Sequence, residues 1–247
     1  MYRWILIGLM AASMAAQPSG RGGRGFGGGR FLGAEAGMPG RVVKNAPYSA
    51  ELVTETTQTL ADGNRIHQTI TVHVYRDSEG RTRTEEPLSG LGALAPNSNF
   101  PVVVFIHDPV AGANYALNPR NKTATKSAWM PRNRGGRDFG GRGRAGTAKP
   151  ESLPGKTVEG LAAEGTRVTT VIPAGQVGNE QPIQTVLERW YSPDLQVVLL
   201  VKQSDPRVGE TVTRLVNISR AEPPRSLFEV PADYKVADAG RGRGAER

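Results

Sequence analysis

Three histidines, His67, His73 and His107, are the first residues to test for chemistry, because imidazole serves both as a general base and as a metal ligand. His67 and His73 share one face of an alternating segment. Six residues of strand put them about 20 Å apart, too far to ligate one ion. His107-Asp108 offers a base beside an acid, yet neighbours on a strand point to opposite faces. No Gly-x-Ser-x-Gly or comparable nucleophile motif accompanies them. Glu85-Glu86 is a carboxylate pair, but a glycosidase pair comes from separate elements that face each other across a cleft. Trp129 and Trp190-Tyr191 are too few for a carbohydrate platform and read as core or rim. Gly20-Arg-Gly-Gly-Arg-Gly25 matches the dinucleotide fingerprint in letters only, since no strand precedes it and no helix follows. The residues name no catalytic group, no metal site and no cofactor, and a hydrolase with an unrecognised site is the enzymatic alternative.

The ends of the chain and its middle carry different information. Residues 1–16 have a basic start at Arg3 and a short apolar run from Trp4, which is a signal-peptide pattern with cleavage after Ala15. The run is too short to span a bilayer, which takes roughly 20 residues. The expectation is a periplasmic or secreted protein with no transmembrane span after cleavage. There is no cysteine, so disulfides, lipid attachment at a lipobox and thiolate metal sites are excluded.

The formal charge is +8, and its location matters more than its size. Arg3 and the segments 17–46, 131–150 and 235–247 together carry +12, leaving −4 on the remainder. These three segments are rich in Arg and Gly and poor in apolar residues, a composition that does not repay the entropy of ordering. They read as a disordered arm, a disordered insertion and a disordered tail. The arginines Arg21, Arg24, Arg30, Arg134, Arg137, Arg142 and Arg144 form candidate anion-binding arms. An export signal makes RNA a poor partner, so the partner class expected is an anionic envelope surface or polymer and not a specific nucleic acid.

The elements between the arms must position any site. From residue 65 to 75, Ile66, Ile70, Val72 and Val74 alternate with His67, Thr69, Thr71 and His73, the period of a strand with one apolar face. Ala61-Asp-Gly-Asn64 is a hairpin signal joining it to a β-branched run over 49–60. Further strands are expected at 81–86, 102–107, 114–117, 123–129, 157–161, 165–172, 182–191, 195–202 and 207–217, with one helical turn at 224–228. About ten short strands at hairpin spacing predict a mainly β fold. The architecture expected is a curved antiparallel sheet or open half-barrel with little helix, one domain over 47–234 interrupted by the 131–150 insertion.

Phe105-Ile-His-Asp108, Tyr115-Ala-Leu-Asn-Pro119, Glu188-Arg-Trp-Tyr-Ser-Pro-Asp-Leu195, Leu215-Val-Asn-Ile218 and the closing Ser226-Leu-Phe-Glu-Val-Pro-Ala-Asp-Tyr234 resemble a set of secreted acidobacterial proteins. More distantly they resemble periplasmic lipoprotein-carrier (LolA-like) proteins and the sigma-regulator (RseB-like) domain. The resemblance implies a half-barrel whose apolar concave face, under a helical lid, holds acyl chains or lipidated partners. No segment here reads as the lid helices. The reading is a non-enzymatic exported binding module with Ile66, Ile70, Val72 and Val74 as its candidate apolar face and a lipid or lipidated protein as partner. The alternative is an envelope interaction protein in which the sheet is a scaffold and the arms make contact. A cavity lined by Ile70, Val72, Val198 and Leu200 separates the first from the second.

Overall fold

The computed structural model describes residues 42–87, 101–129 and 150–239. The signal segment, all seven arm arginines and nearly all of the insertion lie outside the described residues. What is described is one open sheet of twelve strands. In chain order they are β1 (Tyr48–Thr59), β2 (Arg65–Arg76), β3 (Thr82–Pro87), β4 (Val102–Asp108), β5 (Ala113–Asn118), β6 (Thr123–Ala128), β7 (Glu151–Val158), β8 (Leu161–Ile172), β9 (Ile183–Ser192), β10 (Val197–Asp205), β11 (Gly209–Ser219) and β12 (Lys235–Asp238). The spatial order is β12-β6-β5-β4-β3-β2-β1-β11-β10-β9-β8-β7, so the two edge strands do not meet. All pairings are antiparallel except β12 on β6. The mainly β, open architecture expected from alternation is therefore present. A 3₁₀ turn, Arg225–Phe228, is the only helical element among the described residues.

Most strands form where turn chemistry and alternation put them. Gly63 takes φ 83° between β1 and β2, the conformation that Asp-Gly signalled. Three differences have plain causes. The expected strand over 157–161 is broken by a hairpin turn, with Val158 ending β7 and Leu161 starting β8, because Glu159 and Gly160 both adopt positive φ, 49° and 77°. This is the twist-matched two-residue turn, and Glu in its first position hides it. Lys235–Asp238, expected to belong to the disordered tail, is an edge strand paired with Thr123–Lys126. Finally, Val43 and Ala46, expected in the N-terminal arm, are buried. The Asn45 amide donates to the Ser78 carbonyl at 2.9 Å. Gly80, at φ 86°, allows the approach, since a Cβ there would stand 2.5 Å from Val42 Cγ1.

Register assigns side chains to two faces. Leu52 lies opposite Val72 and Leu215, and Ala50 opposite Val74, so these define the first face. Glu55 lies opposite Val212, which lies opposite Lys202, and these define the second. Apolar residues cluster on both. On the first face Tyr48, Leu52, Val74 and Leu215 pack with Leu195, Val197 and Leu199. The pairing of β10 with β11 begins only at Leu200, so the start of β10 leaves its neighbour and joins that core. Arg76 fixes the crossing: its guanidinium donates to the carbonyls of Ala46 and Leu195 and sits 4.8 Å from the Tyr48 ring centroid. On the second face Val104, Ile106, Leu117 and Ala124 are covered by Phe228, with Leu227, Val230 and Tyr234 beside it.

Candidate binding cleft

At the β7 end of the second face the structure forms a cleft of about 460 Å³. Its floor comes from β10 and β11. Alternation from buried Leu200 brings Lys202 to the same face, and their cross-strand partners Arg214 and Val212 follow. Glu55 of β1 extends the row. The opposite wall is the tip of the β7–β8 hairpin, with Lys156, Thr157, Val158 and Glu159. That tip reaches the floor because β7 carries a bulge between Leu153 and Lys156. A bulge bends and twists the strand that bears it, and Pro154, which cannot donate to the ladder, sits inside this one.

The cleft is amphipathic. Leu200, Val212 and Val158 supply its apolar surface, and three cations stand against two carboxylates around it. Arg214 Nη2 is 2.9 Å from Glu55 Oε1, a cross-strand ion pair. Lys156 Nζ lies 3.8 Å from the centroid of the Trp190 ring, a cation–π contact. Burial lowers the Lys156 pKa from the ordinary lysine value, and the Lys202 charge pushes it the same way against a smaller opposing pull from Glu188. Glu188 is itself held by Arg167, whose Nη2 lies 2.7 Å away. Trp190 fits between β8 and β9 because residue 165 is glycine: a Cβ there would stand 2.5 Å from the indole Cζ3.

The stripe singled out in the sequence lies on the other side of the sheet. Ile66, Ile70, Val72 and Val74 do share one face, as alternation requires. Burial along it is graded: Val74 is 1% exposed, Val72 packs on the core, Ile70 is half-buried and Ile66 is 41% exposed. Among the described residues no cavity gathers Ile70, Val72, Val198 and Leu200. Val198 is fully buried, and Leu200 faces the cleft while Ile70 faces away from it. Alternation shows which residues share a strand face, but not which strands a distant hairpin folds over, so of the cleft residues the sequence singles out Leu200 alone.

The other candidates are held in local structure. The His67 ring nitrogens contact Thr57 Oγ1 at 3.1 Å and Thr69 Oγ1 at 3.3 Å. His107 Nδ1 lies 2.8 Å from Asn114 Oδ1, whereas Asp108 Oδ1 accepts from the amides of Val110 and Ala111. His73 stands opposite Glu51 and Glu85 in register. Glu85 pairs with Arg83 at 2.7 Å, and Glu86 points to the other face. Among the described residues no three His, Asp or Glu side chains are placed to hold a metal ion, and no helix is long and apolar enough to cross a membrane.

No family model matches the chain, and no curated protein does. Solved structures do. The structure is similar to an uncharacterized conserved protein from Thermus thermophilus, at 11% identity and TM-score 0.43, over 78% of this chain and 91% of that one. It is similar to the MucA/MucB complex of Pseudomonas aeruginosa, at 13% identity and TM-score 0.45, over 85% of this chain but 62% of that one. A LolA-superfamily protein from Nitrosomonas europaea matches at 10% identity and TM-score 0.32, over 76% of this chain and 91% of that one. The resemblance to these proteins is distant and lies in the fold.

Proposed function

We propose that the protein is an exported, non-enzymatic binding module that holds an apolar ligand, a lipid or a lipidated partner, in the cleft between the β7–β8 hairpin and strands β10, β11 and β1. One observation carries this reading: Val158, Leu200 and Val212 form an apolar surface inside an open cleft ringed by charged groups. A few polar groups around an apolar concavity are the usual form of a small-molecule site, and the volume lies in the usual range. Export is supported by the basic start and short apolar run of residues 1–16, and a periplasmic or secreted location goes with this reading. Native mass spectrometry of the full-length chain, purified from the envelope fraction of cells expressing it, tests the reading. A bound mass in the lipid range is expected, depleted when Val212→Asp puts a charge on the cleft floor. Bare protein from wild type, in conditions that retain weak adducts, would count against it.

A further inference from the structure

The charges around the cleft are not equally engaged. Arg214 is paired with Glu55, and Glu188 with Arg167. Lys156, Lys202 and Glu159 are left: none makes an ion pair among the described residues, and the Lys202 charge disfavours the charged form of Lys156. Lys156 lies over an indole face and Lys202 projects from the floor strand directly opposite Glu188. Two ammonium groups held beside an apolar floor repel until an anion comes between them. A lysine head is a compact point charge with three donors, suited to a carboxylate or phosphate approached from any direction. Such contacts strengthen as water is displaced from the cleft by an alkyl chain.

From this arrangement we infer that Lys156 and Lys202 read the anionic head of an amphiphile whose alkyl chain lies on Val158, Leu200 and Val212. The ligand class is a single-chain or acylated molecule ending in a carboxylate or phosphate. The inference rests on the binding reading above and narrows it. Neutral amphiphiles satisfy the floor but leave the lysine repulsion in place, so they bind more weakly. Added chain length contributes up to about fourfold in affinity per buried methylene until the floor is covered.

Isothermal titration calorimetry on the full chain, with monomeric ligands, tests it. The probes are dodecyl phosphate, dodecanoate, neutral dodecanol and inorganic phosphate. Dodecyl phosphate and dodecanoate are expected to bind at least about tenfold tighter than dodecanol, which is one charge-assisted contact's worth. Inorganic phosphate should bind far more weakly than its dodecyl ester. The double variant Lys156→Gln/Lys202→Gln should abolish the preference, so that both anionic ligands bind it no tighter than dodecanol does. Lys156→Arg/Lys202→Arg should keep the preference. Both lysines are exposed, so the variants are expected to fold, which circular dichroism checks. Equal binding of charged and neutral amphiphiles overturns the headgroup inference and leaves the binding reading standing. So does a preference that survives the Gln variant. Inorganic phosphate binding as tightly as its dodecyl ester makes the lysines a plain anion site and also overturns it. If the wild type binds no amphiphile, the binding reading falls and this inference with it.

Discussion

Tyr48 is the residue whose chemistry is most displaced by its surroundings. It is fully buried in the first-face core, its hydroxyl has no hydrogen-bond partner among the described residues, and burial pushes its pKa up to about 12 against a weaker pull from Arg76. A buried hydroxyl without a partner costs desolvation and returns nothing. Tyr48→Phe is therefore expected to be neutral or stabilising at pH 7 by urea denaturation. The alkaline limb gives a sharper test. Below pH 10 both folded and unfolded chains keep the phenol proton. Between pH 10 and about 12 only the unfolded chain releases it, so stability falls as pH rises through that window, by roughly 2–3 kcal/mol in all. The Phe variant should lose one proton's worth of that slope. Identical slopes for the two proteins would mean that Tyr48 is not the group responsible. Gly165 is the second such residue. Gly165→Ala drives a methyl into the Trp190 ring and should cost roughly 1–3 kcal/mol by the overpacking rule. The shifted indole should also change the Trp fluorescence, and an unaltered spectrum with unaltered stability would contradict the packing described.

At the scale of elements, the C-terminal segment is the one whose removal has a directed consequence. Phe228 closes the second-face core, Arg83 Nη1 donates to the Leu227 carbonyl at 2.9 Å, and the Tyr234 amide turns onto the Pro231 carbonyl before β12 joins β6. Phe228→Ala should cost about 3–5 kcal/mol. Hydrogen exchange should show β12 and β6 losing protection while the β9–β10 amides keep theirs against local opening. Uniform loss across the sheet would show that the segment is not a separable cover. Strands bounded by Asp-Gly or by Asn-Pro turns were legible, since those residues dictate backbone conformation locally. The Glu159-Gly160 turn was not, because its first residue adopts positive φ only under the demand of the paired strands. β12 was not, because four residues with one exposed valine carry no periodicity, and only the edge of β6 makes them a strand. The cleft was invisible for a related reason: Lys156 and Lys202 are separated along the chain and meet only through a bulge and a register.

For the molecule as a whole, one sheet bears two cores on opposite faces. Strand β2 contributes to both, Val74 to the first core and Tyr75 to the second, and the sheet runs without a break from Ile106 in β4 to Leu199 in β10. Ile106→Ala is expected to cost about 2–5 kcal/mol. Because the sheet is continuous, its loss should lower the urea midpoint read at amides in β4 and in β10 by the same amount. Separate transitions at the two sets of amides would show that each core melts as its own unit.

The position of β1 in the middle of the sheet has a further consequence. Its partners are β2, which follows at once, and β11, whose pairing residue Leu215 lies opposite Leu52 across most of the chain. A polypeptide emerging from a ribosome or drawn N-terminus first through a pore can form the β1–β2 hairpin early, yet it holds an open edge at β1 until residues 209–219 have cleared. Closure of the sheet is thus postponed to nearly the last moment of emergence. A chain built this way stays threadable while it is being made, and it becomes hard to thread only once both of its halves are on the same side.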